Sequence, residues 1–267
     1  MTIRDALLRS RRRPRHLGAG SPTTYRGDGY EFVELRAYVP GDDVRRIDWA
    51  ATARSGELQT RVVLEDVALT LAAIVDASPS MRIGRRRPLL DAANEALRTW
   101  FGAASGEDRC IRIDADGVTP PALQRGAHGA LVARQSESFD LARVLRTAFA
   151  ALPRGTALLA ISDWYDLGAD CEGDIARLGA RFDCTALIAR DPWRDWLPVS
   201  GFVRVRGAEG GHARVYVGAR ERVAYAAAVA RREASLLSRF DRANWRTGIL
   251  REEDGASSLA EAFGARP

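Results

Sequence analysis

The spacing of apolar and polar positions changes partway along the chain, and the change predicts two kinds of structure. Between about residues 25 and 65 the pieces are short and alternate, as in "EFVELRAYV", which predicts strands joined by tight turns. "VPGDD" reads as one such turn, because Pro40 presets its backbone angle and Gly41 tolerates positive φ. From Val67 onward, continuous apolar runs alternate with helical spacing. "VALTLAAIV", "RCIRIDADG", "ALLAISD", "CTALIARD" and "WRTGILRE" predict strands. Between them, Leu89, Leu90, Ala93, Ala96, Leu97, Trp100 and Phe101 share one helical face, and Leu141, Val144, Leu145, Ala148 and Phe149 share another. A short helix is expected near Ile175–Arg181, a hairpin about "AEGG" over residues 201–217, a long helix in "RERVAYAAAVARREASLLSRF" and a short one in "SSLAEAFG". Strands alternating with helices predict an α/β fold, a Rossmann-type, mostly parallel sheet with helices on both faces. The expected division is a basic, mobile tail over 1–24, a small β-rich segment over 25–65 and the α/β domain over 66–267.

One strand ends in an unusual way. "LTLAAIVDASPSM" runs apolar to Val75 and then places Asp76, Ser78 and Ser80 at every second position. In an open parallel sheet ligands sit outside the carboxyl ends of the strands, so this strand delivers a carboxylate and two hydroxyls to the functional edge. That oxygen-only, weakly charged set suits Mg²⁺ or Mn²⁺ with open coordination positions. "ALLAISD" ends on Asp163 in the same manner. The plainer alternative is that Asp76 and Ser78 only cap a helix or satisfy turn amides.

Composition removes several chemistries. With 267 residues and 46% hydrophobic content the chain can bury a core as one large or two small domains. It contains no lysine, so all 40 basic residues are arginine, and Walker-type nucleotide hydrolysis and pyridoxal chemistry are excluded. The net charge of +5 is scattered among carboxylates, so no specific nucleic-acid partner is expected. Cys110, Cys171 and Cys184 lack CxxC spacing, and a reducing compartment fits them. No apolar run is long enough for a signal peptide or a membrane span, so a cytoplasmic protein is expected. The cluster Arg11, Arg12, Arg13 and Arg15 reads as a solvated tail, with contact to an anionic membrane surface as the other reading.

The ladder resembles the metal-ion-dependent adhesion site of von Willebrand factor A domains. More specifically, the run from Arg26 to Met81, with "RGDGYEF", "LRAYVPGDDVRRIDW" and "AR" ahead of "DASPSM", resembles the signature of the bacterial domain-of-unknown-function family 58. The later "ISD" and "DPWRDWLP" agree with it, so the resemblance covers nearly the whole chain. It implies a von Willebrand A-like fold and association with MoxR-type AAA+ ATPases in cofactor insertion, complex assembly or stress responses, with no established enzymatic activity. The adhesion-site pattern implies a further threonine ligand. Phe139 stands at that place in "SESFDLARVL", leaving Ser138, one residue earlier, as the remaining hydroxyl, and Arg194 stands where relatives carry an acid.

"PGDDVRRIDW" gathers Asp42, Asp43, Arg45, Arg46 and Asp48 around Trp49, with Arg54 and Arg61 following. Either arginine–carboxylate pairs hold this region against the sheet, or the charges form a docking surface with Trp49 as its anchor. "IRIDADGVT" imitates the D-x-D-G-x-T motif of haloacid dehalogenase-like phosphotransferases, with Asp114 and Asp116 as nucleophile and acid/base; a hairpin turn is the plainer reading. His16, His128 and His212 form no hydrolase motif, the Arg26–Asp28 triplet has no integrin to meet, and Trp193 and Trp196 read as core packing or an apolar lid. The expectation is therefore a non-enzymatic interaction module acting with a MoxR-type AAA+ ATPase on an unidentified protein client, with Mg²⁺ or Mn²⁺ held by Asp76, Ser78, Ser80, Asp163 and Ser138. The competing readings are a Mg²⁺-dependent phosphotransferase and a metal-free scaffold.

Overall fold

The computed structural model describes residues 2–12, 31–64, 68–105, 108–114, 117–119, 133, 136–165, 167–168, 170–194, 197–208 and 210–264. The chain divides into two compact units, Pro14–Ala68 on the one hand and Leu69–Pro267 together with Met1–Arg13 on the other.

In the larger unit, strands β3 (Thr70–Val75), β4 (Arg109–Asp114), β5 (Gly117–Thr119), β6 (Ala157–Ser162), β7 (Asp183–Ala189) and β10 (Arg246–Leu250) form one sheet in the order β10-β7-β6-β3-β4-β5. Every pairing is parallel except β4 with β5. The central strands are apolar at nearly every position because both faces are covered, as parallel sheets require. Alternation divides β3 between two cores. Leu71, Ala73 and Val75 join α1 (Ile3–Arg12), α3 (Leu89–Gly102) and α7 (Gly255–Ala262). Ala72 and Ile74 join α4 (Leu141–Ala151), α5 (Asp170–Arg181) and α6 (Ala219–Arg242). The α/β expectation with a parallel sheet between helices is met.

Two expectations need correction. Residues 2–12 are not a mobile tail: α1 buries Ile3 and Leu7 in the first core, and Arg4 pairs with the buried Asp108. The cluster Arg11, Arg12, Arg13 and Arg15 predicts a solvated tail, but Ile3 and Leu7, with Ala6 and Leu8 packed beside them, dock the helix that precedes most of it. Arg13, Arg15, His16, the Arg26–Asp28 triplet and the rest of the expected tail lie outside the described residues. Nor is the smaller unit built of strands and turns alone. Its β1 (Glu31–Ala37) and β2 (Gln59–Leu64) pair antiparallel, with a bulge between Phe32 and Glu34, but helix α2 (Trp49–Ser55) intervenes. Asp48 caps α2 by accepting from the Ala51 amide, and Gly56 ends it in the left-handed region at φ 77°.

The hairpin β8 (Gly201–Arg206) and β9 (His212–Val217) leads into α6. No helix among the described residues is long and apolar enough to cross a membrane. At the start of α4, Asp140 accepts from the Arg143 amide at 2.9 Å. Asp140→Ala is expected to cost about 1 kcal/mol of stability, read as a shifted urea midpoint, because the helix loses its N-cap.

Candidate functional site: the carboxyl edge of the parallel sheet

Strand register assembles the edge. Val75 pairs with Ile161, so the residues that follow, Asp76 and Ser162, are neighbours across the strands. Asp76 is 5% exposed. One carboxylate oxygen accepts from the Ser78 amide at 2.9 Å and the other from the Ser162 hydroxyl at 2.7 Å. Pro79 then opens a short 3₁₀ turn, Pro79–Arg82, anchored by the fully buried Met81. Ser78 precedes that turn without spending its hydroxyl on a cap, and its Oγ lies 3.0 Å from Ser80 Oγ. The Asp76–Ser78 bond is the turn interaction of the plainer reading; the paired hydroxyls are not needed for it.

Asp163 follows β6. Its Oδ1 accepts from the Tyr165 amide at 2.9 Å and its carbonyl from Arg232 at 2.7 Å. Between them Trp164 has φ 57°, a left-handed conformation that bulky residues rarely adopt. Burial of its ring holds it there: Trp164 is 1% exposed, packs edge-on against Phe240 with centroids 4.7 Å apart, and donates to the Leu187 carbonyl. Strain of this kind collects at functional turns. Tyr165 is left outside the core with the Arg232 guanidinium 3.6 Å above its ring.

Burial is the main cause that raises the Asp76 carboxyl above its ordinary range, and the charge of Asp163 adds to it, while the bonds from Ser78 and Ser162 pull the other way. No arginine is among the leading causes of that shift, and Asp76 forms no ion pair among the described residues. A buried carboxylate with a second carboxylate nearby and no ion-pair partner among the described residues is the environment a divalent cation would relieve. Among the described residues no group of three or more His, Cys, Asp or Glu side chains is placed to hold a metal. A Mg²⁺-like ion therefore fits only with the Ser78 and Ser80 hydroxyls and water completing the two carboxylates.

The remaining expected positions separate. Ser138 is exposed, and its carbonyl and amide bond the Ser136 hydroxyl; its own hydroxyl is not brought to the ladder among the described residues. Phe139 packs on the second core, which explains why this loop turns its apolar side inward. Ser136 instead donates its amide to the Ala77 carbonyl, and Arg82 reaches the Ser136 carbonyl and Glu137. Asp114 ends β4 beside its ion-pair partner Arg112, in a β4–β5 hairpin; Asp116 lies outside the described residues.

In the smaller unit the charge cluster works mostly on its own backbone. Asp42 accepts from the Val39 amide and pairs with Arg36, and both bonds hold its carboxyl below the usual range. Asp43 accepts from the Arg45 amide. Asp48, besides capping α2, pairs with Arg61 at 2.8 Å. Arg45, Arg46 and Arg54 form no ion pair with the described residues, and Trp49 is 68% exposed, so the cluster is not packed around it. Of the loop between β7 and β8, Trp193 lies under Arg85 and Arg194 pairs with Glu233 on α6; Trp196 lies outside the described residues, as does His128. The three cysteines are free and buried, and burial pushes the Cys110 thiol up to about 11.

Sequence reasoning missed Ser162. The apolar run points to the aspartate that ends it, yet strand pairing makes the preceding serine the side chain that reaches Asp76. The "IS" before Asp163 was the available signal.

Fold and edge define an α/β protein with a parallel sheet whose carboxyl end carries a buried Asp–Ser–Ser turn. Residues 34–235 match the model of the family described as "Protein of unknown function DUF58", and the chain belongs to that family. Uncharacterised proteins of Mycobacterium tuberculosis and Mycobacterium bovis are 32% identical over 208 residues, covering 71% of this chain and 64% of their own length. The chain thus spans under two thirds of these relatives. Among solved structures, a conserved hypothetical protein BatB from Bacteroides thetaiotaomicron matches at TM-score 0.48 and 9% identity, over 74% of this chain and 100% of that one. An aerotolerance-related membrane protein from Bacteroides fragilis matches at TM-score 0.44 and 11% identity, over 74% and 98%.

Proposed function

We propose that this protein is a non-enzymatic protein-interaction module of von Willebrand A-like type, working with a MoxR-type AAA+ ATPase in complex assembly, maturation or stress response. Asp76, Ser78, Ser80 and Asp163 would hold Mg²⁺ or Mn²⁺, and the ion would supply an open coordination position for a carboxylate of the partner or its client. The observation that carries this reading is the buried Asp76 carboxylate, which feels the charge of Asp163 and has no ion-pair partner among the described residues. Desolvated and repelled, it favours a cation on its open side. Ser162 and the Ser78 amide fix its two oxygens, and the Ser78–Ser80 pair sets two neutral donors beside it. So few negative ligands leave positive charge on the ion, which attracts an incoming Glu or Asp. The choice of a MoxR-type AAA+ ATPase rests on the resemblance carried by the run from Arg26 to Met81.

Capture from native lysate by the wild type and by Asp76→Ala, each with Mg²⁺ and with EDTA, tests it. An AAA+ ATPase retained by the wild type with Mg²⁺ and absent from the other three samples is the expected result. Identical retention in all four would overturn the metal-bridged reading.

A further inference from the structure

Beside the ladder an open groove of about 1240 Å³ runs between the sheet edge, the β8–β9 hairpin and α6. Its lining begins at Ser80 and Asp163 and continues past Arg190 to Val203, Val205 and Val215 on the hairpin. Small-molecule pockets are about 300–1,000 Å³, so this open trough is sized for a stretch of polypeptide.

Four arginines (Arg190, Arg204, Arg206 and Arg232) and four carboxylates line it, but they are not engaged alike. Each lining carboxylate is already engaged: Asp163 by the Tyr165 amide, Asp191 by Tyr225 and the Trp193 amide, Glu221 by the Gly218 amide and Glu233 by Arg194. Arg190 is not. It follows β7 directly, as Asp163 follows β6, and its Nε is buried with no hydrogen-bond partner among the described residues. Arg204 and Arg206 on the rim also lack an ion-pair partner among the described residues. Register makes this worse, because Arg204 lies directly opposite Arg214, and like charges so placed repel.

The hairpin is incomplete in a second way. Among the described residues β8 pairs with β9 alone, which leaves its other backbone edge without a strand there, and Val205, Val215 and Tyr216 remain 46%, 39% and 56% exposed. An isolated two-stranded ribbon is marginal, and a third strand is what such an edge accepts.

We propose that this groove binds an extended acidic and apolar segment of a partner protein, which adds as a strand along β8, places aliphatic side chains against Val203, Val205 and Val215, and places a carboxylate on Arg190. This deepens the interaction-module reading by naming the segment's chemistry and a second anchor that does not need the metal.

Fluorescence anisotropy of the full chain with a labelled ten-residue peptide alternating glutamate and valine tests it. Controls are the same peptide with lysine for glutamate and one with proline at alternate positions, which cannot pair with a strand edge. The glutamate peptide is expected to bind, and both controls to bind at least about tenfold more weakly. Arg190→Gln should weaken binding about tenfold or more, because a charge-assisted bond is lost. Val205→Glu, at an exposed site that folding tolerates, should weaken it similarly. Binding should survive EDTA and Asp76→Ala. Loss under EDTA with no effect of Arg190→Gln would leave the metal-bridged reading standing and overturn the groove. Equal binding of all three peptides, no binding of the glutamate peptide, or preference for phosphatidylglycerol vesicles or single-stranded RNA over it would also overturn it.

Discussion

Replacing Trp100 by alanine is expected to lower stability by about 3–5 kcal/mol, a fall in Tm on the order of 10–15 °C for a domain of this size. Trp100 is 0% exposed on α3, where it fills the first core between the sheet and α7. Its ring lies 6.0 Å from Phe263, and its indole N–H donates to the Ala72 carbonyl at 3.1 Å. The variant loses the apolar contacts, leaves a cavity, and strips a hydrogen bond from a central strand. Little relaxation is available, because α7 is seated tightly on α3: a Cβ on Gly255 would stand 1.8 Å from the Ala92 carbonyl oxygen. Trp49→Ala, at an exposed position, should shift stability by less than about 0.5 kcal/mol. Chemical denaturation of the two variants in parallel checks the contrast, and equal losses would contradict the assignment of the core.

The second large effect concerns the ladder and has opposite signs with and without metal. The Asp76 carboxyl is raised above its unfolded value, so in the metal-free protein the protonated form is favoured by folding. Its contribution to stability is fully present below the unfolded value of 3.8 and is lost as pH rises through the raised folded value. At neutral pH the metal-free wild type therefore carries a buried charge at a cost. Asp76→Asn removes that charge while its amide oxygen still accepts a hydrogen bond, so the metal-free variant should match or exceed the wild type in Tm at neutral pH. With Mg²⁺ at about a hundred times its dissociation constant, the wild type should gain about 2.7 kcal/mol, or roughly 5–10 °C, and the variant nothing. Thermal scans of both proteins with Mg²⁺ and with EDTA at neutral and mildly acid pH read every sign. A wild type indifferent to Mg²⁺ would reduce the ladder to a turn.

The class of fold follows from the sequence alone, because burial on both faces forces continuous apolar strands and burial on one face forces helical spacing. "TLAAIV", "ALLAIS" and the stripe from Leu89 to Phe101 each carry that signal without help from distant residues. The strand end at Asp76 was legible for the same reason: the apolar run stops where the chain leaves the core. What tertiary structure decided is which distant groups meet at that edge. Ser162 lies 86 positions from Asp76 and reaches it only through the β3–β6 register. Residue type could nominate Ser138 as well as any other serine; only placement shows that it is exposed while Phe139 packs inward. Arg190 shows the limit most clearly, since its local sequence is that of any strand followed by an arginine. Its significance comes from the carboxylates around it already being engaged, and from a hairpin that follows it in the chain and borders the same groove. Periodicity reports whether a residue is buried, whereas pairing, charge balance and cavities depend on the three-dimensional placement of groups far apart in the sequence.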